Sequence, residues 1–106
     1  MSDTIELESH DPEWHEWYEA EGLQLLEVLG EVAHDLAHVG STAVPGLVAR
    51  PIVDIMIGVA PLEAASRCVV EMQQRGYTYL GESGLEGRFY FQTRGERSFD
   101  VSIVQH

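Results

Sequence analysis

The chain has 106 residues, the size of one compact domain, and 44% of them are hydrophobic, which is ordinary for a globular protein. Its 18 acidic residues outnumber six arginines, lysine is absent, and the formal net charge is −12. Without lysine the chain cannot supply a P-loop lysine, a Schiff base or a lysine general base. Its negative field also disfavours nucleic acid as a partner.

We interpret residues 1–106 as a single domain, because the sequence contains no internal repeat, low-complexity run or linker. A domain this small buries a limited share of its surface, so we expect it to depend on a partner or to form a homodimer. Cys68 is the only cysteine, which excludes an intrachain disulfide. The first residues lack the cationic segment and the apolar segment of a signal peptide. No apolar run approaches the roughly 18 residues that a membrane-spanning helix needs. These features predict a cytoplasmic protein with no membrane partner.

The first predicted element is a helix that begins at Asp11 and Pro12, residue types preferred at the N-cap and the first helical position. Apolar residues at helical spacing predict its buried face: Trp14, Trp17, Tyr18, Leu25, Val28, Leu29 and Val32. A short strand is expected over residues 36–40, and a turn at residues 40–42 then breaks it and offers hydroxyl groups.

A nearly continuous run of Ile, Val and Met from Pro51 to Val59 predicts the central strand of a sheet, buried on both faces. Pro61 is expected to open a second helix that ends at Gly76, and residues 77–80 to form a further strand. After a glycine-rich loop, residues 88–93 and 98–105 predict two strands joined by a four-residue hairpin connection. This order predicts an α/β (α+β) fold, with a mixed sheet and helices packed on one face.

Asp54 is the most informative residue, because it interrupts the apolar run of the predicted central strand. A carboxylate buried there needs a metal, an arginine or backbone donors to hold it. Strand alternation also places Asp100 on a polar face of the last strand. If Asp54 and Asp100 point to the same side of the sheet from neighbouring strands, the two carboxylates could share Mg²⁺ and act in phosphoryl transfer. A structural role for Asp54 and a solvent-facing position on an edge strand for Asp100 are the alternatives.

A turn shortly before that strand has the residue types of a phosphate site. Gly40 next to the small hydroxyl residue Ser41, with Thr42 following, allows backbone amides to approach a phosphate at a strand-to-helix turn. An ordinary turn without a ligand is the alternative interpretation.

Three further residues are candidates for binding an anionic group. His38 lies on the strand that leads into the turn, and is a candidate ligand or phosphate contact, or else a hydrogen-bonded core histidine. Arg50 precedes the predicted central strand and Arg88 follows the glycine-rich loop, so either could bind phosphate or pair with one of the many carboxylates. No role follows for three other histidines, which show no metal-ligand spacing with a second ligand: His10, His15 and His34.

Two segments of the sequence resemble the signature of the GrpB-like family. They are residues 38–47, which read HVGSTAVPGL, and residues 50–55, which read RPIVDI. The resemblance extends to residues 11–14, 76–77 and 87–91, so it covers nearly the whole chain. The family is classed by similarity with the nucleotidyltransferase superfamily, in which a Gly-Ser turn binds the nucleotide phosphates and strand carboxylates hold Mg²⁺.

The resemblance implies that Gly40 and Ser41 bind the triphosphate of a nucleotide and that Asp54 is a Mg²⁺ ligand. Fusions of family members with dephospho-CoA kinase suggest a link to coenzyme A metabolism. Nucleotidyl or phosphoryl transfer is therefore the first functional hypothesis. The alternative is a catalytically inactive module that binds a nucleotide-like or CoA-like ligand, or another protein.

The sequence departs from the family pattern in three ways. A typical active transferase has a second carboxylate two residues after the first, where this chain has Met56, which cannot bind a hard cation. Residues 99–102 read FDVS, where relatives carry a histidine-rich strand. Relatives also continue past the position of His106 into further helices, so we expect a minimal or C-terminally truncated member.

Overall fold

The computed structural model of the chain describes residues 6–106. In chain order their regular elements are α1 (Glu13–Leu29), β1 (Ala33–Val39), β2 (Ile52–Val59), a 3-10 helix (Leu62–Cys68) that continues into α2 (Val69–Gln74), β3 (Thr78–Tyr79), β4 (Arg88–Thr93) and β5 (Ser98–Gln105). The order of helices and strands agrees with the sequence prediction. Within this part of the chain no helix is long and apolar enough to span a membrane.

Helix α1 begins one residue after the predicted Pro12. The Asp11 carboxylate accepts a hydrogen bond from Glu13 N at 2.9 Å, so Asp11 satisfies one of the free amides of the first turn. The predicted inner face is confirmed. Its buried residues are Trp14, Leu25, Val28 and Leu29, and the partly buried residues that pack against the core are Trp17, Tyr18 and Val32.

The second helical segment differs from the prediction, because it begins as a 3-10 helix and becomes α-helical only at Val69. Three residues of the 3-10 part pack into the core, namely Leu62, Ala65 and Cys68. Their spacing of three matches the period of a 3-10 helix, which places all of them on one side. The predicted stop is confirmed at Gly76, whose φ is 99°.

The five strands form one mixed sheet in the order β1-β2-β5-β4-β3. Strands β2 and β5 are parallel, and the other neighbouring pairs are antiparallel. Residues from both helices and from the sheet share one apolar core, so the helices pack on the same face. The predicted fold class, a mixed sheet with helices on one face, is confirmed.

Two predictions about β2 were wrong. β5 occupies the centre of the sheet, between β2 and β4, so β2 is an interior strand but not the central one. Nor is β2 buried on both faces, since Met56 is 40% exposed while Ile55 and Ile57, which face the helices, are enclosed. The physical reason is that both helices cover one side of the sheet, which leaves the other side of β2 open.

We name this uncovered side the open face. Six side chains of the three middle strands define it: Asp54, Met56, Tyr90, Gln92, Asp100 and Ser102. All six are partly or largely accessible, whereas the alternating residues on the other side of the same strands form the core. The open face carries the polar groups of the candidate site.

Candidate functional site

The two carboxylates predicted to share a site lie side by side. Asp54 and Asp100 are direct register partners on the parallel strands β2 and β5, and both belong to the open face. The Asp100 side chain is only 13% exposed and lies on the central strand, so the alternative of a solvent-facing edge residue is wrong. The predicted juxtaposition is confirmed, and the chemical roles of the pair remain predictions.

The pair is electrostatically asymmetric. Burial, reinforced by the neighbouring charge of Asp100, raises the pKa of Asp54 to about 6, and the cations Arg50 and Arg94 oppose this rise. Asp100 has a dedicated partner, because its Oδ1 atom lies 2.8 Å from Nη1 of Arg94. Asp54 therefore carries the less compensated charge of the two.

Gly40 brings the turn into contact with Asp54. Its φ of 77° lies in the left-handed region that favours glycine. A Cβ atom at this position would lie 3.1 Å from Cγ of Asp54 and overlap its carboxylate oxygen Oδ2. Two independent constraints thus require glycine here, and they place the peptide backbone of the turn against the carboxylate.

The hydroxyl residues of the turn have different surroundings. Ser41 is exposed, whereas Thr42 is 1% exposed. The Oγ1 atom of Thr42 lies 2.9 Å from Nε2 of His38, so the two side chains hold each other. In register, Val39 pairs with Asp54, so the preceding His38 points to the opposite side of the sheet. His38 and Thr42 therefore lie on the helix side, away from the carboxylates.

Of the two candidate arginines, Arg88 is engaged within the protein. Its guanidinium donates hydrogen bonds to the carbonyl oxygens of Glu82 and Ser83 at 3.1 and 3.0 Å, and to Oγ of Ser102 at 3.2 Å. It also lies 4.0 Å over the ring of Tyr90. Arg88 thus ties the glycine-rich loop to the open face. Arg50 is exposed beside Asp54 and is the more accessible cation of the two.

The sequence prediction missed three residues of the site: Tyr90 and Gln92 on the open face, and Arg94, which pairs with Asp100. Arg94 was assigned only to the hairpin turn, and nothing in the sequence indicates that its side chain reaches Asp100. Tyr90 and Gln92 were detectable, because polar residues at 90 and 92 alternate with Phe89 and Phe91 along β4. The amide of Gln92 donates to the Tyr90 hydroxyl at 3.1 Å, and burial together with the neighbouring Asp100 raises the pKa of that hydroxyl.

The neighbouring carboxylates Asp54 and Asp100 supply the oxygen donors that Mg²⁺ prefers. Among residues 6–106 there is no group of three or more His, Cys, Asp or Glu side chains that could hold a metal. Mg²⁺ in phosphate-transfer sites commonly takes one or two protein carboxylates, with phosphate oxygens and water as its other ligands. Burial is the largest cause of the raised pKa of Asp54, so a cation beside this carboxylate would favour its charged form.

Comparisons with known proteins place the chain in a family. The model of the GrpB family, described as GrpB protein, matches residues 4–106. UPF0157 protein YqkA of Bacillus subtilis is 37% identical over 93 residues, which are 88% of this chain and 27% of that protein. UPF0157 protein PA4798 of Pseudomonas aeruginosa is 36% identical over 104 residues, which are 98% of this chain and 43% of that protein.

The fold also resembles a solved structure. The crystal structure of conserved protein GrpB from Enterococcus faecalis superposes with a TM-score of 0.89 at 35% identity, over 94% of this chain and 61% of that one. The chain therefore spans less than half the length of the two curated relatives and about three-fifths of the crystallised protein. With a family model that matches nearly every residue and a shared fold, the chain belongs to the GrpB family.

Proposed function

We propose that this chain binds the phosphates of a nucleoside triphosphate together with Mg²⁺ and transfers a nucleotidyl or phosphoryl group to an acceptor. The observation that carries the proposal is the register of Asp54 with Asp100 on the open face, with Gly40 in contact with Asp54. This arrangement supplies hard oxygen ligands next to backbone amides, the two kinds of group that a phosphate and its cation need.

Each residue has a distinct task in this proposal. Asp54 and Asp100 would hold Mg²⁺, which supplies positive charge to the phosphate oxygens during transfer. The backbone amides of Gly40 and Ser41 would donate hydrogen bonds to the phosphates, and the exposed Ser41 hydroxyl adds a further donor. Arg50, already close enough to Asp54 to lower its pKa, is the cation best placed to pair with phosphate charge.

Each of the two possible transfer reactions forms one bond to phosphorus and breaks another. In nucleotidyl transfer an acceptor oxygen bonds to the α-phosphorus, the bond from that phosphorus to its bridging oxygen breaks, and pyrophosphate leaves. In phosphoryl transfer the acceptor attacks the γ-phosphorus and a nucleoside diphosphate leaves. In both cases the acceptor hydroxyl loses its proton to solvent, and the protein contributes mainly positioning and charge stabilisation.

A catalytically inactive module that binds a nucleotide-like or CoA-like ligand is the second candidate, and two observations favour it. Met56 stands where an active transferase has its second carboxylate, two residues after Asp54. Arg94 already neutralises Asp100 at 2.8 Å and competes with any cation for that carboxylate. In this case the site binds phosphate groups without turnover.

A thermal-shift experiment separates both candidates from an empty site. Mg²⁺ and a nucleoside triphosphate, added together at millimolar concentration, should raise the Tm of the wild type, because ligands that bind the folded state stabilise it. Asp54→Asn should abolish the shift if Mg²⁺ held by Asp54 anchors the phosphates, as the transfer proposal requires. The matched control is Asp35→Asn, which removes a 66% exposed carboxylate from β1 at a distant position in the register. A wild-type protein that is folded but shows no shift contradicts the proposal.

Product analysis then decides between enzyme and binding module. Pyrophosphate or nucleoside diphosphate released by the wild type, and lost in Asp54→Asn, supports transfer. Ligand binding without product, or binding that survives Asp54→Asn, supports the inactive module. Homodimer formation and the absence of nucleic-acid and membrane partners remain predictions from composition, and light scattering in solution tests the first of them.

A further inference from the structure

A hollow on the helix side of the sheet lies between α1 and the hairpin that joins β4 to β5. Its volume is about 300 Å³, which is at the small end of the range for small-molecule pockets. Four charged side chains line its walls, namely Glu21, Arg75, Glu96 and Arg97. None of its lining residues belongs to the open face, so the hollow is separate from the function proposed above.

The floor of the hollow is aromatic. Tyr77 and Phe99 line it, are each 4% exposed and belong to the core. The Tyr77 hydroxyl donates a hydrogen bond of 2.6 Å to Oε2 of Glu21, which fixes the wall that α1 contributes. Within residues 6–106, Oε1 of Glu21 has no hydrogen-bond donor and is left to face the hollow.

The charged walls do not close on each other. Among the described residues, Arg97 and Glu96 form neither an ion pair nor a side-chain hydrogen bond, and the ion pair of Arg75 is with Glu71, outside the hollow, at 3.2 Å. This arrangement is unusual in a chain with 18 acidic residues and six arginines. Because opposite charges attract, a ligand that carries both charges can satisfy the two kinds of wall at once.

Both guanidinium groups are held in place by the protein. Arg75 donates through Nη1 to Oε1 of Gln24 at 3.1 Å and through Nη2 to Oε2 of Glu71 at 3.2 Å, which leaves further N–H donors free. Cζ of Arg97 lies 5.5 Å from the centre of the Trp17 ring, within range of a cation–π interaction. The two arginines therefore offer oriented donors of the geometry that a carboxylate accepts.

We propose that this hollow binds a free α-amino acid with an aromatic side chain. Arg97 and Arg75 bind its carboxylate, and Glu96 and Glu21 bind its ammonium group. The two positive and two negative charges of the walls cancel, so the hollow complements a zwitterion, whereas a phosphate group would meet two glutamates. The aromatic floor favours an aromatic ring, which can pack there edge to face or offset.

The test is an NMR titration of L-phenylalanine into the full chain, followed through the backbone amides. Arg97→Gln is the primary variant, because this side chain is exposed and its loss should leave the fold intact. The matched control is Arg67→Gln, which removes another exposed arginine, outside the hollow, with the same change in net charge. Two analogues each delete one charge of the ligand: L-phenylalaninamide lacks the carboxylate, and N-acetyl-L-phenylalanine lacks the ammonium group.

We expect saturable shifts at hairpin residues 94–97, affinity reduced at least about tenfold in Arg97→Gln, and affinity unchanged in Arg67→Gln. Both analogues should bind the wild type more weakly than phenylalanine does. The amide should bind the wild type and Arg97→Gln equally, because its missing carboxylate is the group that Arg97 contacts. By the same reasoning, Glu96→Gln should weaken phenylalanine and leave the N-acetyl analogue unaffected.

Three results would overturn the proposal. They are the absence of saturable binding to the folded wild type, an equal loss in Arg67→Gln, and a loss in Arg97→Gln that is as large for the amide as for phenylalanine. The second result would mean that binding follows net charge, and the third that Arg97 does not contact the carboxylate. If Arg97→Gln fails to fold, Glu96→Gln and its analogue decide the question.

Discussion

Replacing Asp54 by Asn should make the metal-free protein more stable at neutral pH. The substitution keeps the size and shape of the side chain, but removes a charge that burial and Asp100 make unfavourable. The pKa of Asp54 rises from 3.8 to about 6, so the folded state binds this proton more tightly than the unfolded state does. The resulting stabilisation is fully present below the unfolded value of 3.8 and is lost as pH rises through about 6.

The magnitude follows from the size of the shift. Each pKa unit corresponds to about 1.4 kcal/mol, so a shift of this size would correspond to about 3 kcal/mol if it were fully expressed. Because the carboxylate is partly open to water, screening reduces the expected effect to about 1–2 kcal/mol. For a domain of this length each kcal/mol corresponds to a change in Tm of about 4 °C. We therefore expect Asp54→Asn to raise the Tm by about 4–8 °C at pH 7.5.

Urea unfolding of the wild type and the variant, in buffers that contain a chelator, measures this difference between pH 3.5 and 8. The stabilisation by Asn should be largest above pH 6 and should fall toward zero as pH drops through 3.8, below which Asp54 is mostly protonated in both states. Asp100→Asn is the control, because it removes the same kind of charge but also breaks the ion pair with Arg94, and should not stabilise the fold. A variant that is less stable than the wild type by the same amount at every pH would refute the electrostatic reasoning.

Two further predictions concern stability and reactivity. Gly40→Ala should lower the free energy of unfolding by at least about 2 kcal/mol in urea titrations, because the left-handed backbone disfavours Ala and the added Cβ overlaps Asp54. Gly46→Ala, with a φ of 82° but open space around it, should lose less, and equal losses would show that contact with Asp54 is unimportant. The Cys68 thiol is 4% exposed and burial raises its pKa, so a thiol reagent should modify the native protein far more slowly than the urea-unfolded one. Rapid modification of the native chain would mean that the 3-10 helix opens readily.

Much of the fold could be predicted because local signals agree with the final structure. The α1 face follows from helical spacing, and β4 and β5 follow from alternation with a four-residue connection, so their bounds match the structure at both ends. The exchange of an α-helix for a 3-10 helix over Leu62–Cys68 was not predicted, although the spacing of three between apolar residues there is a usable signal.

The position of β5 could not be predicted, because strand order depends on which edges pair after the helices have packed. The sequence places β5 next to β4 through a short hairpin, but its other neighbour is β2, more than 30 residues earlier in the chain. This single pairing brings Asp100 beside Asp54 and makes the candidate site. The contact of Arg94 with Asp100 at 2.8 Å, by contrast, lies within the β4–β5 hairpin and depends on how the arginine side chain folds back over the strand.

The sequence by itself determined the elements, the glycine turn and the presence of a carboxylate in an apolar strand, because these depend on neighbours along the chain. Only the tertiary structure decided which face each polar residue occupies. The alternation of side chains across β1 sends His38 toward α1 and lets the turn at Gly40 meet Asp54 on the other side. These side-chain positions depend on strand pairing and on packing between segments that are distant in the sequence, so local sequence patterns do not reveal them.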